Sequence, residues 1–450
     1  MANGQIWETR PLEFWAKAKE LRAGWQKSSN NKDKIFGQGH TGGVMSYDWV
    51  QAFPGIALIN DNPTGSMIQA KNDSYARKSR LASEIRGWGR EICGYHNTCW
   101  GGQYLGYIED GSPWYNRKFA VPIPCTCDQH TKRGQQIKDF ENVPRWSADR
   151  FMYLGPYDEE REKAMLEHKV YNFLKMFNDI ERIFGQKFDD EKVAELVKAN
   201  TIRSECAQEI FCLMARTIPA PISAKDLFSV FTIGGLTAVD PEETVKFWEM
   251  VRDEVKWRAE NKIAAVGNER FRWMEAHPPA WHFLKYYRYM EEYGAVCLGS
   301  QYLFNRDCDF EVKPDGSIGK RTEEIFAARE TFPDDIPIKT REDSVRLSVG
   351  PLARPAPSDS FKGDEYCYRD GIVKYAQMVK ADGALLALWR SGVGCTMTRK
   401  EQGMYLKDAG LNVMHYEGSQ PGDRTDLDEK RFLDQLDCWM QSLGLRKFTN

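Results

Sequence analysis

The chain has 450 residues but no GxxxxGK[ST] phosphate loop, so P-loop nucleotide chemistry has no recognisable seat on it. No CxxC pair occurs, which excludes zinc ribbons and ferredoxin-type cluster loops. Net charge is close to zero, −3 from 62 Lys and Arg against 65 Asp and Glu, which gives no general attraction to nucleic acid or to an anionic membrane. No apolar run approaches the roughly 20 residues that a membrane span requires, and MANGQIWETRPLEFWAKAKELRAGWQ at the start alternates charges with aromatics, unlike a signal peptide. The expectation is a cytoplasmic protein.

Cysteine is present: eleven residues, an odd number spread over a long chain. In a reducing compartment these are thiols, used for packing, catalysis or metal. Two of them, Cys125 and Cys127 in IPCTCDQHTK, are separated by one residue. A disulfide across that spacing is strained, because bridged Cα atoms need a separation and Cβ direction that neighbouring extended residues rarely supply. Metal binding, redox chemistry and packing stay open for the pair.

The pattern of apolar residues divides the chain into four regions. Residues 1–35 read as an N-terminal helical segment with Leu12, Trp15, Leu21 and Trp25 near one stripe, ended by the polar run SSNNKDK. Residues 36–157 alternate short apolar runs such as GIALIN and FAVPIPC with Gly, Asn and Asp turns and one helical stretch, ARKSRLASEIRGWGREICGY, as in an α/β unit. Residues 158–265 carry helical spacing and acidic first turns in DEEREKAMLEHKVYNFLKMFNDIERIF and DEKVAELVKANTIRSECAQEIFCLMAR, and Ser223 is placed to cap the helix AKDLFSVF. Residues 266–450 return to strand and helix in turn, with ALLALW and LNVMHYEG as strands and CTMTRKEQGMYLKDAG between them as a helix. The predicted fold is α/β: two doubly wound parallel-sheet domains joined by a helical segment.

In open parallel sheets ligands sit beyond the carboxyl ends of the strands. Cys127 follows the run FAVPIPC and precedes TKRGQQIKDF; Cys395 follows ALLALWRSGVG and precedes TRKEQGMYLKDAG; both fall in strand-to-helix loops. Cys93, in EICGYHNTCWGG, falls at a helix end marked by Gly94. Three thiolates at such positions, distant in sequence, are candidates to converge on a soft metal or an iron–sulfur cluster, with core packing as the alternative for each.

Several stretches then resemble the 2-hydroxyacyl-CoA dehydratase and benzoyl-CoA reductase family, most of all the larger cluster-bearing active-site subunit of ATP-dependent benzoyl-CoA reductases. They are REICGY, TCD at residues 126–128, FGQKFDDEKVAELVKAN, RTIPAPISAKDLF and, longest, DGALLALWRSGVGCTMTRKEQGMYLKDAGLNVMHYEGSQPGDRTDLDEKRFLDQLDCWMQSLG. The resemblance implies one 4Fe-4S cluster held by Cys93, Cys127 and Cys395, an iron without a fourth cysteine, and Cys125 lining the loop. It also implies partners: a homologous smaller subunit, ATPase or activator subunits that carry their own cluster and use the ATP, reduced ferredoxin as electron source, and an acyl-CoA substrate. Within that frame His96 is the candidate proton donor, with a local hydrogen bond as its other use, and Lys132, Arg133, Arg390 and Arg399 flank the cluster loops as candidates for the CoA phosphates. The implied activity is reduction of the benzoyl-CoA ring; elimination of water from a 2-hydroxyacyl-CoA is the alternative within the family, and a cluster-free scaffold subunit is the alternative outside it.

Overall fold

A computed structural model describes residues 5–28, 34–39, 48–59, 72–89, 92–121, 128–146, 159–230, 233, 240–275, 284–299, 310–312, 318–320, 338–349, 367–389, 399–418 and 428–448. The molecule is α/β, with helices predominating and with two parallel sheets. The first sheet has three strands, β1 (Ile35–Gly39), β2 (Ile56–Ile59) and β3 (Phe119–Val121), in the order β2-β1-β3. The second has four, β4 (Phe271–Met274), β5 (Ala295–Cys297), β8 (Gly383–Trp389) and β9 (Asn412–Gly418), in the order β5-β4-β8-β9. Between β5 and β8 in sequence lies a separate antiparallel pair, β6 (Phe310–Val312) and β7 (Ile318–Lys320). Buried parallel strands read as continuous apolar runs, and ALLALW is such a run, whereas FRWM is buried throughout but carries Arg272.

The helices in chain order are α1 (Trp15–Ser28), α2 (Asp73–Glu84), α3 (Gly94–Leu105), α4 (Asp128–Glu141), α5 (Glu159–Phe184), α6 (Lys192–Arg216), α7 (Ala224–Val230), α8 (Pro241–Glu260), α9 (Leu284–Glu291), α10 (Arg341–Val349), α11 (Cys367–Met378), α12 (Arg399–Asp408) and α13 (Glu429–Ser442). Helix α8 has an orthodox start: Asp240 accepts from the amides of Glu242 and Glu243, with Pro241 in the first turn. At α7 the Ser223 hydroxyl donates to the Asp226 carboxylate at 2.8 Å. Among the described residues, no helix is long and apolar enough to cross a membrane.

Two large cores hold these elements. In the first, one face of α5 supplies Val170, Phe173, Phe177 and Ile180 at helical spacing, and Phe177 stacks on Phe188 at 4.5 Å between ring centroids and meets Trp49 at 5.0 Å. The second core gathers β4, β5, β8, α8 and α13 with the C-terminal half of α6. Helix α6 serves both: Val193, Leu196 and Val197 pack in the first core, while Ile210, Phe211 and Met214 pack in the second. The N-terminal helix docks on the second core through Phe14, Ala18 and Leu21, Phe14 lying edge-on to Phe247 at 6.4 Å. Its buried stripe therefore runs through Phe14 and Ala18 rather than starting from Leu12 and Trp15, which are only partly buried.

A buried arginine fastens the second core. Arg272 in β4 is 5% exposed, and its guanidinium donates to the carbonyls of Met214, Ala215 and Thr217 at the end of α6, to Val379 O after α11, and to Glu269 Oε1 at 2.6 Å. Helix C-terminal carbonyls have no partners within the helix and sit at the negative end of its dipole, so a cation there satisfies both needs. Glu269 in turn accepts from Ala220 N at 2.6 Å. Replacing Arg272 by Lys leaves three donors for this set and strands buried acceptors, so urea denaturation of Arg272→Lys is expected to show a loss of about 3 kcal/mol or more. An unchanged midpoint would mean that the carbonyls are satisfied in another way.

Candidate functional site

Strand order places the site. In the first sheet the chain goes from β1 to β2 on one side and returns to β3 on the other, and in the second it goes from β4 to β5 on one side and returns to β8 and β9 on the other. Each sheet therefore has a reversal point, between β1 and β3 and between β4 and β8, and the crevice beyond the carboxyl ends of such strands is where open α/β sheets bind ligands. Cys127 belongs to the segment after β3 and Cys395 to the segment after β8. Cys125, Cys127, Arg390 and Cys395 themselves lie outside the described residues.

Cys93 is described, and its position corrects an expectation. The stretch ARKSRLASEIRGWGREICGY is not one helix closed by Gly94: α2 ends at Glu84, Gly87 takes φ +90°, and Cys93 is the N-cap of a new helix, α3. Glycine in the left-handed region breaks the helix where the sequence spacing alone suggested continuity. Helices α2 and α3 then pack so closely that a Cβ on Gly101 would collide with the Ser79 carbonyl oxygen. The intervening turn is held by Asn97, whose amide donates to Gly89 O at 3.0 Å and whose carbonyl oxygen accepts from Ser83 Oγ at 3.0 Å. Cys93 is thus an unbridged thiol, 7% exposed, at the N-terminus of a helix. It also packs into the second core, with the residues of β4, β5 and β8, rather than into the first. A residue from the first sheet's neighbourhood is thereby brought to the body that carries the Cys395 segment.

The expected neighbours are placed unequally. His96, in the first turn of α3, is buried at 5% exposure, with its ring 6.2 Å from Trp100. Lys132 and Arg133 lie on helix α4, not in a loop; Lys132 is exposed, and Arg133 is 3% exposed. Burial pushes the Arg133 guanidinium down to about 9, opposed by the nearby Glu141 charge. Glu141 also takes a bidentate pair from Arg117 and a bond from Gln103 Nε2 at 2.7 Å, which ties α3, α4 and the strand-β3 approach together. Arg399 opens α12 and is 4% exposed, so it too is an interior cation and not a surface charge. Among the described residues, no group of three or more His, Cys, Asp or Glu side chains forms a metal site, and two of the three expected cysteines lie outside them.

The sequence reasoning missed Glu275. This residue directly follows β4 at the second reversal point, is 7% exposed, and accepts a short hydrogen bond from the Tyr287 hydroxyl on α9. Burial pushes its carboxyl up to about 8, with the Tyr287 hydrogen bond and the Arg399 charge pulling the other way. Arg399 is lowered to about 9 by burial, with Glu275 and Tyr416 opposing. Arg399 also donates to Gln402 Oε1 at 3.1 Å. The sequence signal was a lone acid directly after the buried run FRWM, at the carboxyl end of a strand.

Over residues 76–343, more than half of the chain, the sequence matches the family described as 2-hydroxyglutaryl-CoA dehydratase, D-component, and the chain belongs to that family. A curated relative, the (R)-2-hydroxyisocaproyl-CoA dehydratase alpha subunit of Clostridioides difficile, is 23% identical over 238 residues, which is 51% of this chain and 56% of that protein. The chain thus spans about half the length of the curated relative that it matches. The family match includes Cys93, Cys127 and Glu275 and ends before Cys395 and Arg399.

Glu275 makes stability depend on pH in a defined direction. Its ordinary value is 4.5 and its folded value is about 8, so between them the unfolded chain gives up a proton that the folded chain keeps. The stabilisation is complete below the ordinary value, falls as pH rises, and is gone above about 8. Urea midpoints measured across that range are expected to decline in the wild type and to flatten in Glu275→Gln, which cannot ionise. Parallel declines in both proteins would assign the slope to other groups.

Proposed function

We propose that this chain is the cluster-bearing active-site subunit of an iron–sulfur acyl-CoA enzyme, and specifically one that reduces the aromatic ring of benzoyl-CoA to a cyclohexadienoyl-CoA. Family membership carries the acyl-CoA reading. The long C-terminal block that includes MHYEGSQPGDRTDLDE, with its resemblance to benzoyl-CoA reductases, supports the reductase form. The family description and the curated relative, both named for dehydratases, favour a second reading: elimination of water from a 2-hydroxyacyl-CoA.

In either form Cys93, Cys127 and Cys395 would hold the cluster. When bound, a 4Fe-4S centre with one iron free of cysteine supplies one-electron chemistry and a Lewis-acid position for an acyl oxygen. The chain's own residues set the surroundings. The α3 N-terminus and the second core hold Cys93 in a dry position, His96 is buried one turn further along the same helix as a proton donor, and Lys132 is an exposed cation on α4, which follows Cys127 in sequence, for a CoA phosphate. Arg133 and Arg399 are buried cations beside the Cys127 and Cys395 segments in sequence. With no phosphate loop in this sequence, ATP belongs to activator subunits with their own cluster, supplied by reduced ferredoxin, beside a homologous smaller subunit. The "alpha subunit" name of the relative agrees with such an assembly.

The decisive assay supplies the anaerobic complex with activator, ATP and a low-potential donor, then offers benzoyl-CoA and a 2-hydroxyacyl-CoA in separate reactions. Consumption of benzoyl-CoA with ATP hydrolysed in step is the expected result. Loss of water from the 2-hydroxyacyl-CoA alone would establish the dehydratase, and turnover of neither would remove the acyl-CoA reading.

A further inference from the structure

The crevice at the reversal point of the second sheet contains more polar chemistry than a packing role explains. Glu275, at the end of β4, has one carboxyl oxygen, Oε2, engaged by Tyr287; the other, Oε1, is buried and makes no hydrogen bond. Gln402 on α12 is 1% exposed; its Oε1 accepts from Arg399, and its Nε2 is buried and makes no hydrogen bond. Arg399 links the two, bonded to Gln402 and coupled by charge to Glu275. Two side chains, each more than nine-tenths buried and each with an unmet polar atom, thus flank one cation at the fold's standard ligand position. Leaving such atoms unsatisfied carries a desolvation penalty that is relieved when a ligand supplies their partners.

The free capacities have one sense. Gln402 has its acceptor occupied and only N–H groups left. A protonated Glu275 has an O–H left. The groups that face Glu275 are Tyr287 on α9, Cys297 at the end of β5 and Arg399 on α12, with Tyr416 on β9 next to Tyr287 and Arg399. Burial raises the Tyr287 hydroxyl and the Cys297 thiol well above their usual ranges, so neither brings a negative charge at neutral pH.

We propose that Glu275, Gln402 and Arg399 form a buried donor site that takes the carboxylate or carbonyl oxygen of an acyl compound, binding it with Glu275 in its protonated form. The site rests on the acyl-CoA reading for the class of ligand, and it assigns to the second sheet a recognition task separate from the cysteines. Bound oxygen accepts from the Glu275 hydroxyl and the Gln402 amide, beside the positive charge of Arg399. Occupancy by an anion strengthens the hold of Glu275 on its proton, so binding takes up protons at a pH where the free carboxyl is partly ionised.

Benzoate is the probe, with benzylamine as a cation carrying the same ring, and the full-length chain is titrated calorimetrically in buffers of different ionisation enthalpy. Benzoate is expected to bind with uptake of a fraction of a proton near pH 8 and benzylamine not to bind. Because only the protonated form is competent, affinity should fall roughly fourfold from about pH 6.5 to about pH 8.5. Glu275→Gln, which keeps a donor, should retain benzoate and lose the proton uptake, whereas Gln402→Leu should weaken binding about tenfold, the effect of one lost buried hydrogen bond. Far-UV circular dichroism confirms that each variant is folded.

Equal binding of benzoate and benzylamine would reduce the crevice to an apolar pocket and overturn the proposal, as would benzoate binding without proton uptake, or no binding at all. Acyl-CoA turnover by the complex with no benzoate binding would remove this site and leave the proposed function standing. Benzoate binding without acyl-CoA turnover would do the reverse.

Discussion

The fold is fastened by one buried side chain. Arg272, in the strand at the centre of the second sheet, gives all of its guanidinium N–H groups to the end of α6, to the end of α11 and to Glu269. That choice of partners matters because α6 is the element common to both hydrophobic cores, its first turns packed with Phe177 and Phe188 and its last with Phe271 and Trp273. A helix terminus buried among apolar residues needs its carbonyls satisfied, and a guanidinium does so with five donors in one rigid plane. Position and charge of β4 follow, and with β4 comes Glu275 at its carboxyl end.

From that anchor the site acquires a consistent logic. Both sheets reverse their winding at a central strand pair; in sequence Cys127 follows β3 and Cys395 follows β8, and Cys93 starts a helix that packs into the second core. Thiolates suit a helix N-terminus, and buried carboxyls suit the proton-holding side of a crevice. The charged residues expected to meet CoA phosphates split accordingly. Lys132 faces solvent, while Arg133 and Arg399 are interior groups whose burial weakens their hold on a proton.

Much of this was legible in the sequence, for physical reasons that can be named. ALLALW and LNVMHYEG are strands because short apolar or alternating runs between turn signals are hard to satisfy otherwise, and α5 and α6 were visible in their helical spacing and acidic starts. The family was legible in its motifs and agrees with the match over residues 76–343. The break before α3 was hidden, because Gly87 and Gly89 read equally as a helix end and as a turn between helices, and the difference lies in Asn97 reaching back to Gly89. The role of Phe14 and Ala18 was hidden by brighter neighbours, Leu12 and Trp15, since a stripe of large residues does not reveal which one faces the core. Arg272 and Glu275 left almost no trace: one is a charge inside a strand and the other a charge just after it, and only tertiary partners distinguish either from a solvated residue.

Iron content is the most direct measure of the proposed cluster. Anaerobic purification followed by iron and acid-labile sulfide analysis, on the wild type and on Cys93→Ser, Cys127→Ser, Cys395→Ser and Cys206→Ser, tests it in one series. About four iron and four sulfide per chain are expected for the wild type, retained in Cys206→Ser, whose thiol is buried between α6 and α8, and mostly lost in the other three. A wild-type chain without iron, or full retention in the Cys93 variant, would contradict it.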